Sequence, residues 1–244
     1  MTVIVVSGTG TEIGKTVTTA AVAAAALAGG RSVAVLKPAQ TGVAPGEPGD
    51  AQEVRRLAGE GVTALELARF PEPLAPQTAA RRAGMAPVRP ADVADAAAKL
   101  ATEHDLVLVE GAGGLLVRFD EEGGTLADAA RLLDAPVLLV ASAGLGTLNT
   151  VTLSAEALRT RGLRQLGVTI GSWPTAPDLA SRCNLADLPK AADADLLGAV
   201  PEGAGTLEGS AFRAAAVGWL GPALGGTWDA RAFTRREAPR PLTS

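Results

Sequence analysis

The first apolar run of the chain, Val3–Ser7, opens directly onto Gly8-Thr9-Gly10-Thr11-Glu12-Ile13-Gly14-Lys15-Thr16, and an alanine-rich helical stretch starts at Gly14. A buried strand, a glycine-rich turn and a helix in that order leave few folds open. Glycines let successive backbone N–H groups turn inward, and the helix start adds roughly +0.5 e of partial charge at the same point. A loop of this kind holds phosphate. Lys15 then brings a full charge to the β- and γ-phosphates, and the Thr16 hydroxyl is placed to ligate Mg2+. Nucleotide contacts are expected from Gly10, Thr11, Glu12, Ile13, Gly14, Lys15, Thr16 and Val17. Counted from Gly8, five residues precede Gly-Lys-Thr where four are usual, so the loop is a variant of the motif.

The rest of the chain alternates β-branched runs with Ala- and Leu-rich stretches. Strands are expected at Val3–Ser7, Ser32–Lys37, Leu106–Glu110, Pro136–Ser142, Leu166–Gly171 and Leu196–Val200. Most are continuously apolar, as strands covered on both faces should be. Helices are expected at Gly14–Ala28, Asp50–Ala58, Asp92–Glu103, Leu126–Leu133, Leu148–Thr160 and Ala211–Leu220, with Gly29-Gly30 and Gly162 just past their ends. This alternation predicts an α/β fold: a single-domain P-loop NTPase whose mostly parallel sheet carries helices on both faces. Thr41–Pro90, rich in Pro and Gly, reads as a looser stretch with short helices across the mouth of the site. The folded domain is expected to span residues 1–224, and 225–244, where apolar periodicity stops, to be a poorly ordered tail.

In parallel sheets, ligands gather at the carboxyl ends of the strands. Two further strands end there in charge. Ser32–Leu36 delivers Lys37, followed by Pro38-Ala39-Gln40-Thr41-Gly42, and Leu106–Val109 delivers Glu110, followed by Gly111-Ala112-Gly113-Gly114. A carboxylate at a strand end beside a phosphate loop is where a Mg2+ ligand belongs, so Glu110 pairs with Thr16 as a metal candidate. Asp50 opens a helical stretch and reads either as a third metal contact or as a helix N-cap. Lys37 requires an anion such as a γ-phosphate, unless it snorkels to solvent. The Gly111–Gly114 run offers backbone N–H groups for an anion nest.

Net charge is −4, from 22 basic and 26 acidic side chains, and no basic stripe is visible. Nucleic acid is therefore not an expected partner. Cys183 is the only cysteine and cannot form an internal disulfide. That suits a reducing compartment, and with Val3–Val6 too short for a leader or span the cytoplasm is expected, without membrane association. His104 reads as a surface residue after a helix, Cys183 as inert, and Trp219 as part of the core.

Taken together, Gly8–Thr16 with its extra residue and Glu12, Lys37-Pro-x-Gln-Thr-Gly, Asp50 and Val109-Glu110-Gly-Ala-Gly-Gly114 resemble the dethiobiotin synthetase family. Gly144-Leu-Gly146-Thr147-Leu148-Asn149 and Val200-Pro201 continue the resemblance, which covers about the first 220 residues. It implies an ATP- and Mg2+-dependent cyclo-ligase acting on 7,8-diaminononanoate and CO2. One amine becomes a carbamate, the γ-phosphate activates it as a carbamic–phosphoric anhydride, and the second amine closes the ureido ring with loss of phosphate. By match, Lys15 and Lys37 stabilise the transferring phosphoryl group and Lys37 also meets the carbamate. Thr16, Asp50 and Glu110 hold Mg2+, Thr41 lies against the diamine, and Gly111, Ala112, Gly113 and Gly114 line the reaction centre.

The family also implies a homodimer in which the partner subunit caps the substrate carboxylate at a helix start, matched here by Gly146, Thr147, Leu148 and Asn149. Without the family that segment is equally an ordinary N-cap. Where many relatives end a strand with an adenine-reading Asn, this chain has Ile170-Gly171-Ser172-Trp173-Pro174. Base recognition then falls to groups near Gly171, Ser172, Pro201, Glu202 and Gly203, which opens nucleotide choice to CTP and other triphosphates. The rival reading is a non-metabolic ATPase switch of the partitioning or site-placing type. Those carry a further lysine near the position of Gly10, and here no lysine precedes Lys15.

Overall fold

Alternate side chains of the first strand already point to two different cores. In a computed structural model describing residues 2–239, Ile4 and Val6 of β1 (Thr2–Gly8) join one apolar cluster while Val5 between them joins another. Period-2 alternation in which both sets are apolar places β1 inside a covered sheet. Its neighbours are β4 (Leu106–Gly114) on one side and β5 (Val137–Ala141) on the other, both parallel. The sheet continues through β2 (Val33–Thr41) to β3 (Val62–Phe70), and through β6 (Gln165–Trp173) to β7 (Leu196–Pro201). The order is β3-β2-β4-β1-β5-β6-β7, with every pairing parallel.

Helices α1 (Lys15–Ala28) and α2 (Asp50–Ala58) cover one face with α8 (Gly209–Ala216). The run of alanines from Ala20 to Ala26 is buried in α1, and side chains that small let it sit close against the sheet. Helices α3 (Pro76–Ala83), α4 (Pro90–Ala101) and α5 (Leu126–Leu132) cover the other face. Over β5 to β7 the core is closed by α6 (Thr147–Thr160) and α7 (Leu179–Ala192). The expected class, a parallel α/β sheet covered on both faces, is the one observed. Among the described residues no helix is long and apolar enough to cross a membrane.

Three departures from the sequence reading have physical causes. The looser stretch contains β3, a nine-residue edge strand paired in parallel with β2. Its Val-Thr-Ala-Leu-Glu-Leu-Ala-Arg-Phe sequence carries mixed polarity because an edge strand is only half covered. Helix α7 was not expected; Asp178 starts it by accepting from the Ser181 amide at 2.7 Å. The last expected helix ends early, at Ala216, and Val217–Trp219 tighten into a 3-10 turn. Trp219, expected in the core, is partly buried and meets Phe212 edge-on with ring centroids 5.2 Å apart. His104 is less peripheral than expected. Its Nε2 lies 2.8 Å from Thr63 Oγ1 and its Nδ1 2.9 Å from the Leu100 carbonyl, tying the end of α4 to β3.

The tail also differs from expectation. Residues 225–239 are folded onto the body through α9 (Ala230–Glu237), which Asp229 caps by accepting from the Ala232 amide. Phe233 packs between Trp173 and Trp228, at centroid distances of 5.3 and 5.2 Å, and Arg182 reaches Glu237 at 3.4 Å. Three anchors are too few to produce a periodic signal, and the last part of the expected tail, 240–244, lies outside the described residues. Trp228 is 8% exposed. Trp228→Ala is expected to cost about 3 kcal/mol by loss of burial and cavity formation, read by urea unfolding; unchanged stability would show that this segment adds nothing to the core.

Candidate functional site

The strand order β2-β4-β1 brings three strand ends side by side, and each delivers one part of the site. From β1 comes the phosphate loop. Gly14 turns it into α1 at φ 89°, a left-handed conformation that glycine adopts without strain, and a Cβ there would meet the Gly171 carbonyl oxygen at 2.1 Å. That contact sets the end of β6 against the loop. Gly171, expected near the base, therefore lies directly against the phosphate loop. The β7 end joins them: the Glu202 amide donates to the Trp173 carbonyl at 2.8 Å, and Glu202 Oε2 accepts from the Thr175 amide at 3.0 Å. Past Pro201 and Gly203, Gly205 sits on Val17, where an added Cβ would meet Val17 Cγ2 at 3.1 Å.

Lys15 is buried and donates to the Gly10 carbonyl at 2.6 Å, so its ammonium lies within the loop. Burial, followed by the charge of Lys37, holds it below the ordinary lysine value against the opposing pull of Glu110 and Asp50. A second ammonium is buried with it. Lys37, only 3% exposed, lies 3.0 Å from Glu110 Oε1, 2.5 Å from Asp50 Oδ2 and 3.1 Å from the Gly111 carbonyl. Burial works against its charge, yet Glu110 and Asp50 outweigh burial and hold it above the ordinary lysine value. The solvent-facing alternative for Lys37 is excluded. So is the N-cap alternative for Asp50: Gly49 occupies the cap, Asp50 is the first helical residue, and its carboxylate turns to Lys37.

Glu110 is the hub of the group. Its Oε1 accepts from Thr16 Oγ1 at 2.8 Å as well as from Lys37, while Oε2 is buried without a hydrogen-bond partner among the described residues. A buried carboxylate oxygen left unpaired is costly. The donor set around it, one hydroxyl and two carboxylates, is made of the hard oxygens that a Mg2+ ion takes. Thr16, Asp50 and Glu110 therefore fit the metal expected of them.

These groups face a cavity of about 770 Å3. Thr11, Glu12, Gly14, Lys15, Thr16 and Val17 form its phosphate side. Lys37, Thr41, Asp50 and Glu110 line the middle, with Ala112 and Gly113 of the glycine run beside them. A further part of the lining, Pro73-Leu74-Ala75-Pro76, falls within the stretch expected across the mouth of the site, though none of its residues was singled out. It lies in the turn from β3 to α3, and its one signal, two prolines bracketing an apolar pair, is common to many loops. Gly146, Thr147, Leu148 and Asn149 start α6 and lie outside this lining. There Thr147 is 2% exposed, and Leu145 just before it is 94% exposed. The cavity thus brings together a phosphate loop, two buried ammonium groups and two carboxylates, an arrangement for moving a phosphoryl group.

Known proteins fit the same description. A family model described as an AAA domain matches residues 2–206. The ATP-dependent dethiobiotin synthetase of Streptomyces coelicolor is 73% identical over 239 residues, covering 98% of this chain and 100% of the relative. That of Streptomyces avermitilis is 72% identical with the same coverage, and that of Rhodococcus jostii is 58% identical over 96% of this chain and 100% of its own length. Among solved structures, the MinC:MinD cell division complex of Aquifex aeolicus superposes with a TM-score of 0.57 at 15% identity, covering 100% of this chain and 99% of that one. Chloroplast FtsY of Physcomitrella patens gives 0.51 at 18% identity, covering 98% of this chain and 65% of that one. Likeness at such identities is a likeness of fold.

Proposed function

The chain belongs to the dethiobiotin synthetase family, and from that premise we propose how its cavity carries out the reaction. It is an ATP-dependent cyclo-ligase of biotin biosynthesis. Its substrates are 7,8-diaminononanoate and CO2, and it forms the two C–N bonds of the ureido ring. The observation that carries the assignment of the site is the position of Lys37, buried between Asp50, Glu110 and the Gly111 carbonyl in the same cavity lining as Lys15.

A carbamate oxygen that attacks the γ-phosphate expels ADP, and the second amine then attacks the carbamoyl carbon and expels phosphate. Both displacements gather negative charge on phosphate oxygens, which fixed positive groups in a dry site stabilise at no cost in reorganisation. Lys15 meets the β- and γ-phosphates from within the loop. Lys37, beside Glu110, meets the transferring group and the carbamate. Thr16, Asp50 and Glu110 would hold Mg2+, which when bound neutralises charge on the phosphate oxygens. Thr41 and the Ala112–Gly113 segment are placed against the diamine. The base lies toward Gly171, Ser172 and Pro201–Gly203. Without a side-chain amide there, CTP and other triphosphates compete with ATP. The enzyme works in the cytoplasm as a homodimer.

Two substitutions separate these roles. Lys37→Gln is expected to lower turnover about 10²–10³-fold, the usual loss when one transition-state charge is removed, with ATP affinity nearly unchanged by calorimetry. Glu110→Gln is expected to raise the Mg2+ concentration needed for half-maximal activity about tenfold. Normal turnover in the first variant, or native metal dependence in the second, would refute the assigned role.

In the dimer, the start of α6 reaches the other subunit's cavity, where its Gly146–Asn149 backbone receives the substrate carboxylate. This is supported by the exposed Leu145 beside it and by the position of α6 outside its own chain's cavity lining. Leu145→Arg is expected to yield monomers in sedimentation and a diamine KM raised at least about tenfold. A monomer with native KM would contradict the proposal.

A further inference from the structure

The loop before Asp50 is held from an unexpected direction. Residues 42–49 connect β2 to α2 with two left-handed glycines, Gly42 and Gly46, and no regular structure. Such a loop would ordinarily let its far end wander. Here β3 pins it. Arg69 donates from Nη1 to the Glu47 carbonyl at 2.8 Å and to that of Ala44 at 3.5 Å, and from Nε to Glu66 Oε2 at 2.7 Å. The β2–β3 register places Glu66 beside Lys37 and Arg69 beside Gln40. Gln40, 5% exposed, then accepts the Asp50 amide on its Oε1 at 2.8 Å.

The fit is tight. A Cβ on Gly49 would lie 2.4 Å from Glu66 Oε1, 2.8 Å from an Arg69 guanidinium nitrogen and 2.9 Å from Gln40 Oε1, so these three side-chain ends close directly on the backbone before Asp50. The side chain of Glu66 is 10% exposed and that of Arg69 is 30% exposed. Neither lines the cavity. An ion pair this enclosed on an edge strand, with its free donors spent on loop carbonyls, is poorly explained as surface solvation.

We propose that Glu66 and Arg69 are positioning residues for the ligase reaction, acting through Gln40 and the 42–49 loop to hold Asp50 against Lys37. Its catalytic consequence rests on the reading of Asp50 as a Mg2+ contact. The hold itself does not.

The test uses the full-length enzyme and two readouts. Amide exchange at residues 49–53 reports the hold directly, and Mn2+ binding to the enzyme with a non-hydrolysable ATP analogue, followed by electron paramagnetic resonance, reports its consequence. In Arg69→Ala and Glu66→Gln, exchange at 49–53 is expected to quicken at least about tenfold while residues 54–58 keep their protection, which separates local release from global loss of stability. Mn2+ affinity is expected to fall about fivefold, with Arg69→Lys between native and Arg69→Ala. In an Asp50→Asn background, Arg69→Ala is expected to add less than about twofold, because its effect passes through Asp50. Native exchange at 49–53 in both variants overturns the proposal. So does an Arg69→Ala loss of Mn2+ affinity that is just as large when Asp50 is already Asn. If Asp50→Asn alone leaves Mn2+ affinity unchanged, the metal role of Asp50 falls, and the hold is then decided by exchange alone.

Discussion

A single carboxylate, that of Glu110, ties the working parts of this molecule together. It sits at 1% exposure midway along β4 and receives Thr16 from α1 and Lys37 from β2 on the same oxygen. Taking ions out of water costs several kcal/mol each, and their attraction repays that only with close, well-satisfied geometry. Lys37 has such geometry, with three oxygen partners. Glu110 has it on one oxygen only. The site is thus electrostatically prepared on the protein side, with its two ammonium groups and two carboxylates held close together. Removing one member of a buried pair typically costs ~3–5 kcal/mol, so the adjacency of β2, β4 and β1 matters for stability as well as chemistry. A sheet with these strands in another order would bury the same charges without their partners.

The remaining architecture follows from enclosing that group. One wall of the cavity is the phosphate loop, whose shape depends on Gly14 passing within contact of Gly171. Another part of its lining is the Pro73–Pro76 turn, which follows the edge strand. Between them the chain presents charge chiefly where phosphate is handled, and small or apolar residues elsewhere. That division suits a substrate with amines at one region and an alkyl chain beyond it. The same edge strand that leads into that turn also steadies Asp50, so β3 contributes to the site twice without placing a charged side chain in the cavity.

Much of this was legible in the sequence because its signals are local. The phosphate loop is contiguous, and Lys37 and Glu110 each terminate an apolar run, so strand and charge could be read together. The place of Asp50 was not decidable from spacing, since cap and ligand demand the same residue at a helix start; the cap falls to Gly49, and Asp50 turns to Lys37 at 2.5 Å. Strand β3 was lost because a half-covered edge strand breaks the apolar run that marked its neighbours. Glu66 and Arg69 were lost for a deeper reason. They pair with each other, but the loop carbonyls that Arg69 reaches lie up to 25 positions away, at Ala44 and Glu47, and no sequence spacing encodes such a contact. The C-terminal helix escaped because Trp228 and Phe233 anchor it singly, without a repeating stripe.

The central claim is that these side chains serve ring closure on a diamine rather than hydrolysis of a nucleotide alone. It is tested most directly by following phosphate release from ATP with Mg2+ and bicarbonate, with and without 7,8-diaminononanoate, and analysing the product by mass spectrometry. The account predicts release that depends on the diamine, one phosphate for each cyclic urea formed. Release at the same rate without the diamine, and no cyclic urea, would contradict it.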